Sequence, residues 1–144
     1  MFMRKIFLIL LTFIFAISCN KDSAQDWSGM EYFEFRISGK VTDVSGSPIN
    51  GITVSASGST VKTGNDGTYR LEGHGASKTS LTVSFSDMDG AENGGIYFGA
   101  TRNVNLDYVE GKHGPFLGLF TKSGVDVTLV MGLTPVPDFG TTVQ

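Results

Sequence analysis

From Phe33 onward the chain alternates apolar and polar residues with period two, and no convincing helical spacing interrupts the pattern. Successive side chains on an extended strand point to opposite faces, so this alternation demands sheets with one face buried. Phe33, Phe35, Ile37 and Val41 alternate with Glu34, Arg36, Ser38 and Lys40. Ile52, Val54 and Ala56 repeat the pattern, residues 60–63 make a short run, and Tyr69 and Leu71 begin another. Leu81, Val83 and Phe85, then Val104, Leu106 and Tyr108, then Val125, Val127, Leu129 and Met131 complete the series. Turn signals separate the runs. Gly46 and Pro48 lie in the first, and Gly64-Asn65-Asp66-Gly67 supplies the Asp-Gly step whose positive φ suits a tight hairpin. About seven short strands at this spacing predict an all-β fold, an antiparallel seven-stranded β-sandwich over residues 31–133. Residues 134–144, with Pro135 and Pro137, read as a tail leaving the last strand.

The start of the chain has a different pattern. Arg4 and Lys5 precede an apolar run, residues 6–16, broken only by Thr12. A membrane-spanning helix needs about 20 apolar residues, so this shorter run fits a secretory signal over residues 1–18. Ala16-Ile17-Ser18-Cys19 resembles the bacterial lipobox, with Ala16 where Leu is usual. The resemblance implies that the Cys19 thiol receives a diacylglycerol, that cleavage falls before Cys19, and that the new amine is acylated by a fatty acid such as palmitate. Each buried CH₂ then contributes roughly 0.8 kcal/mol to membrane anchoring. Asn20 follows, where an inner-membrane retention signal would have Asp, so an outer-membrane location is expected, with the membrane face open. Residues 19–30 read as the lipidated cysteine and a polar tether, and one or both of Trp27 and Tyr32 are expected to tuck onto the domain.

Composition narrows the function. The chain has 11 Lys and Arg against 14 Asp and Glu; loss of Arg4 and Lys5 with the signal leaves nine cations and a net charge of about −5. That balance argues against a nucleic-acid partner and offers no polybasic membrane patch. One Cys and two His cannot build a cysteine zinc site or a disulfide framework within one chain.

Two motifs carry a family resemblance. Ile37-Ser-Gly-Lys-Val-Thr-Asp-Val-Ser-Gly-Ser-Pro-Ile-Asn-Gly-Ile-Thr-Val54 resembles the opening of the carboxypeptidase regulatory-like domain, and Thr63-Gly-Asn-Asp-Gly-Thr-Tyr-Arg-Leu71 resembles its second signature. The resemblance implies a transthyretin-like sandwich, related to immunoglobulin folds, that serves as a binding or spacer module and not as a catalyst. In its terms, Ile49 and Ile52 return to the core, Gly67 ends a hairpin, and Tyr69 and Leu71 face inward. The stretch Ser86-Asp-Met-Asp-Gly-Ala-Glu-Asn-Gly-Gly-Ile-Tyr-Phe98 is similar to a family of small lipoproteins of unassigned role, encoded near radical S-adenosylmethionine (SAM) enzymes. That likeness implies association with such an enzyme, as neighbour or as client.

Few groups could carry chemistry. Asp87, Asp89, Glu92 and Asn93 are dense enough in oxygen to be candidate Ca²⁺ ligands. They miss the EF-hand template, with glycine at the fourth loop position and Phe98 where the bidentate Glu belongs, and they equally suit a turn whose Asp and Asn bond the local backbone. His74, between Gly73 and Gly75, and His113, before Gly114-Pro115, read as turn residues. No base–nucleophile pair and no Gly-x-Ser-x-Gly setting is visible, so no catalytic residue and no cofactor is assigned. The Tyr-Arg-Gly-Ser ending of transthyretin-fold hydrolases is absent. Phe116, Leu117, Leu119 and Phe120 allow two readings, a buried strand or an exposed partner-binding loop, with Tyr97 and Phe98 as an added aromatic platform. The expected function is a lipid-anchored, non-catalytic interaction module that meets an envelope protein or a glycan, with the client of a radical SAM enzyme as the alternative.

Overall fold

The computed structural model describes residues 29–76 and 80–132. The signal segment, Cys19, Trp27 and the tail from Leu133 lie outside the described residues. Nine strands are described: β1 (Tyr32–Asp43), β2 (Thr53–Ala56), β3 (Ser59–Lys62), β4 (Thr68–Ala76), β5 (Ser80–Ser86), β6 (Ala100–Asn105), β7 (Asp107–Glu110), β8 (Phe116–Lys122) and β9 (Val127–Leu129). One sheet runs β4-β1-β8-β7, with β9 added along β1; the other runs β3-β2-β5-β6. The fold is an all-β sandwich.

The alternation in the sequence becomes the interior. Phe33, Phe35, Ile37 and Val41 of β1 are fully buried, and Tyr69, Leu71, Phe120, Val127 and Leu129 join them from the same sheet. Val54, Ala56, Val83, Phe85 and Val104 close the core from the other sheet. Each such large apolar side chain contributes roughly 1.5–3 kcal/mol on full burial. Edge-on ring contacts bind the core, Phe33 to Phe120 at 5.3 Å within one sheet and Tyr69 to Phe85 at 5.7 Å across the two layers.

β1 is the spine. On one side it pairs antiparallel with β4, placing Ile37 opposite Leu71. On the other side two strands run parallel to it, β8 beside its first half and β9 beside its last three residues. Between them the chain crosses over Gly39, where a Cβ would lie 2.1 Å from the Val125 carbonyl oxygen. Only glycine permits that approach. Val125 N–H donates to the Ser38 carbonyl at 3.0 Å, and Lys40 N–H donates to Asp126 Oδ1 at 2.8 Å, so a carboxylate replaces a ladder carbonyl. The buried Tyr69 hydroxyl donates to the Val125 carbonyl at 2.8 Å.

Several expectations are corrected. The strands number nine among the described residues, not seven. The run through Val104, Leu106 and Tyr108 is two strands: at buried Leu106 the chain leaves β5's sheet as β6 and joins β8's sheet as β7, which exposes Tyr108. The sandwich is not wholly antiparallel, because β8 and β9 lie parallel to β1. The Gly64–Gly67 turn closes locally, with Gly67 N–H donating to the Gly64 carbonyl at 2.9 Å, but it joins β3 to β4 in different sheets and is no hairpin. Gly73-His74-Gly75 lies inside β4, not in a turn. A Cβ at Gly75 would lie 2.4 Å from the Phe33 ring and one at Gly73 2.8 Å from Phe35, so these glycines make room for β1's aromatic side chains. Met131 is exposed, because β9 stops at Leu129.

Candidate functional site

Three connections meet at one pole of the sandwich. They are residues 44–52 between β1 and β2, residues 87–99 between β5 and β6, and residues 130–132 after β9. Hydrogen bonds join them. Asn50 Nδ2 donates to Asn93 Oδ1 at 3.2 Å, Phe98 N–H donates to the Val130 carbonyl at 2.9 Å, and Gly132 N–H donates to the Ile96 carbonyl at 2.7 Å. Tyr97 and Met131 face each other in an antiparallel bridge.

The acidic turn is built as a folding device. Asp87 Oδ2 accepts from Tyr97 N–H at 2.9 Å, and Oδ1 accepts from Asp89 N–H at 3.3 Å. Asp89 Oδ2 accepts from Asn93 Nδ2 at 2.5 Å. A carboxyl hydrogen bond shared with Asp87 and the amide donated by Asn93, with the charge of Lys62 as a weaker contributor, hold the Asp89 carboxyl below its usual range. Asn93 adopts a left-handed backbone, with φ of 55°. The Asp89–Asn93 pair lies over Gly51, where a Cβ would come 2.6 Å from Asp89 Oδ2. Glu92 is exposed. Among the described residues no three His, Cys, Asp or Glu side chains are grouped to hold a metal ion.

The neighbouring turn is equally organised. Asp43 Oδ1 accepts from Ser45 Oγ at 2.6 Å and from the N–H groups of Ser45 and Ser47 at 2.9 Å, which pulls its carboxyl below the usual range. Thr63, buried, donates to the Ile49 carbonyl at 2.7 Å and accepts from Ile52 N–H at 3.0 Å. No buried side-chain polar atom lacks a partner among the described residues.

Upon this hydrogen-bonded frame stand exposed apolar side chains. Nine large apolar residues are exposed among the described ones, and six belong to this pole: Val44, Met88, Ile96, Phe98, Val130 and Met131. Phe98 is 65% exposed. The Met131 side chain lies across Gly95, 3.1 Å from where a Cβ would be, and the Phe98 ring lies over Gly132 at 3.5 Å by the same measure. Ile96, Phe98 and Val130 therefore share one face of this bridge, and Met131, directly opposite Tyr97, lies on the other. A concentration of exposed apolar groups of this kind marks interaction sites.

The remaining candidates separate. Phe116, Leu117, Leu119 and Phe120 form β8, so the strand reading holds and the loop reading is corrected. Phe120 is buried against Phe33, and Phe116, Leu117 and Leu119 are partly covered. Tyr97 is also buried, its hydroxyl pushed up by burial and by Asp43 and Asp87, so the aromatic platform reduces to Phe98. Tyr32 is half-buried, with its ring 5.2 Å from Phe116. His74 projects outward near Glu34, with Nε2 3.7 Å from Oε1. His113 closes the β7–β8 turn, as expected: its N–H donates to the Phe116 carbonyl at 3.0 Å, and its own carbonyl accepts from Phe116 N–H at 3.0 Å. Sequence reasoning missed Val44, Met88, Ile96, Val130 and Met131; the first three were apolar residues in turns, and the last two lay in the run read as the closing strand.

The carboxypeptidase regulatory-like domain matches residues 36–109, about half of the chain. The chain belongs to that family. Carboxypeptidase regulatory-like domains are non-catalytic β-sandwich modules. The match spans most of β1 and runs to β7, and it contains two of the three pole connections; β8, β9 and residues 130–132 lie beyond it. The family's motif residues act in this chain as the resemblance implies for the core: Ile49, Ile52, Tyr69 and Leu71 are buried. No curated protein matches the chain. Among solved structures, the C-terminal domain of the Caf1A usher is similar, from work describing conserved surface hydrophobic clusters important for F1 antigen assembly. The likeness has 15% identity, covers 67% of this chain and 97% of that one, and has a TM-score of 0.34.

Proposed function

We propose that this chain is a lipid-anchored envelope lipoprotein whose non-catalytic sandwich presents the apolar pole to a partner, an envelope protein or a glycan, from the outer membrane. The observation that carries the reading is the gathering of six exposed apolar side chains at the pole where β1 ends. The chain enters the sandwich at the opposite end. β1 is 12 residues long, which at about 3.3 Å per residue sets the two poles roughly 36 Å apart. A chain tethered through Cys19 and residues 20–28 thus holds the apolar pole on the side away from its anchor. Loops positioned by a rigid sheet are a common place for binding residues. Metabolic labelling with a palmitate analogue tests the anchor: the wild type is expected to be labelled and Cys19→Ser unlabelled, and continued labelling of the variant would refute lipidation at Cys19.

A second reading rests on the stretch from Ser86 to Phe98. It is similar to lipoproteins encoded beside radical SAM enzymes, and most of it is solvent-exposed in the folded chain, so a modifying enzyme could reach it. In that reading the chain is a client. The intact mass of the mature native chain separates the two: sequence plus lipid alone supports the binding module, and an added mass on a residue between 86 and 98 supports the client. Calcium at Asp87, Asp89, Glu92 and Asn93 would further rigidify the pole. A melting temperature that rises with Ca²⁺ and falls with chelator is the expected sign of such binding.

A further inference from the structure

The charge on the pole says what kind of surface would sit there. Residues 44–52, 87–99 and 130–132 carry three carboxylates, those of Asp87, Asp89 and Glu92, and no Lys or Arg. Asp43 adds a fourth at the end of β1, close enough to Tyr97 to act on its hydroxyl. Lys62 faces Asp89 from the end of β3 and offsets one of these charges. The acids stand beside the apolar surface, since Asp87 is bonded to the backbone between Ile96 and Phe98. Glu92 is exposed on the same connection.

This arrangement discriminates among occupants. Residues 133–144 follow Gly132 and contain Leu133, Val136 and Phe139, but they hold Asp138 and no cation. They would bring negative charge to negative charge. A second copy meeting pole to pole would do the same, and an anionic lipid surface likewise. Like charges brought together across an interface cost affinity, whereas opposite charges set orientation and speed encounter.

We propose, resting on the interaction reading above, that the pole docks a cationic apolar polypeptide segment of another protein: large apolar side chains against Ile96, Phe98 and Val130, and Lys or Arg against the carboxylates beside them. Attraction of this kind weakens with salt, and the apolar part of the contact does not.

The test is site-specific photo-crosslinking of the full lipidated chain in living cells. A photoreactive amino acid replaces Phe98 or Val130 in turn, with Thr60 and Glu72, on the outer faces of the two sheets, as reference positions. The captured peptide is then sequenced by mass spectrometry. The expected result is one protein captured from positions 98 and 130, through a peptide rich in Lys or Arg and apolar residues. Glu92→Lys is expected to lower that capture severalfold without moving the melting temperature. A neutral or acidic captured peptide, or capture indifferent to Glu92→Lys, overturns the proposal. So does an adduct to residues 133–144, to a second copy, or to a glycan. Capture from positions 60 or 72 alone overturns the pole as the site and leaves the interaction reading standing. No adduct from any position, in a chain shown to be lipidated, overturns both.

Discussion

The middle of β1 and the pole at its far end use the same means, hydrogen-bonded loops packed beside apolar side chains, to opposite ends. Around Gly39 the crossing chain, the Tyr69 hydroxyl and the Val125 carbonyl are pressed together with no space left. At the pole, Asn50, Asn93, Tyr97 and Phe98 are just as well bonded, yet Phe98 and Met131 stand in solvent. The middle of the strand gives up exposure to gain stability. The pole bonds its loops to one another while leaving apolar side chains exposed, the arrangement expected of a preorganised contact surface. Substitutions should therefore read out differently in the two places.

The largest effect is expected in the middle. Gly39→Ala puts a methyl into the Val125 carbonyl, backbone against backbone, with no flexible side chain to yield. Overpacking of this severity costs about 3 kcal/mol, a fall of roughly 10–20 °C in melting temperature for a domain of this size. An unchanged melting temperature would mean that β1 and the crossing chain do not meet as described. Tyr69→Phe removes one buried hydrogen bond and leaves the Val125 carbonyl short of a donor, so denaturant titration should show a loss of about 1–2 kcal/mol.

Acid and alkali should separate the two regions as well. Burial and the nearby Asp126 raise the Tyr69 hydroxyl above its usual 10.0. A group raised in the folded state contributes stability below its unfolded value and loses it as pH climbs toward the folded one. Alkaline destabilisation above about pH 10 should therefore be shallower in Tyr69→Phe than in the wild type. The Asp43 carboxyl is lowered from 3.8 by hydrogen bonds from Ser45 and Ser47, that of Asp66 by bonds from Thr68, and that of Asp89 by a bond shared with Asp87 and one from Asn93. Their contribution is full above about pH 4 and disappears as pH falls through the depressed values. Melting curves should drop below pH 4, less so in Asp43→Asn. An equal drop in that variant would show that the turn at the end of β1 gains nothing from its carboxylate.

These contrasts were unequally legible in the sequence. The interior of β1 could be read directly, because period-two alternation determines which face is buried, and Phe33, Phe35, Ile37 and Val41 all lie inside. The turn glycines and the inward Tyr69 and Leu71 were legible through the motif that carries them. The pole was only half visible. The acidic turn stood out as a local cluster, but its alliance with Asn50 and Val130 joins residues far apart in the chain, and no local pattern encodes such a meeting. The parallel pairing of β8 and β9 was hidden for the same reason. His74 was misread because glycine has two uses. It signals a turn when it frees the backbone, and in β4 it instead clears space for the rings of Phe33 and Phe35.

The smallest expected effect on stability is at the pole. Phe98→Ser removes an exposed ring, and surface changes of this kind stay within about 0.5 kcal/mol. A large loss would make Phe98 part of the fold and remove it from the contact surface.

Methionine oxidation compared between the purified lipidated chain and intact cells tests the central claim most directly. Met88 and Met131 sit at the pole, and Met30 sits at the end where the chain enters. With the pole occupied in the cell, Met88 and Met131 will oxidise freely in the purified chain and be protected in cells, relative to Met30. Equal oxidation of all three in both settings, or protection of Met30 alone, would contradict the account.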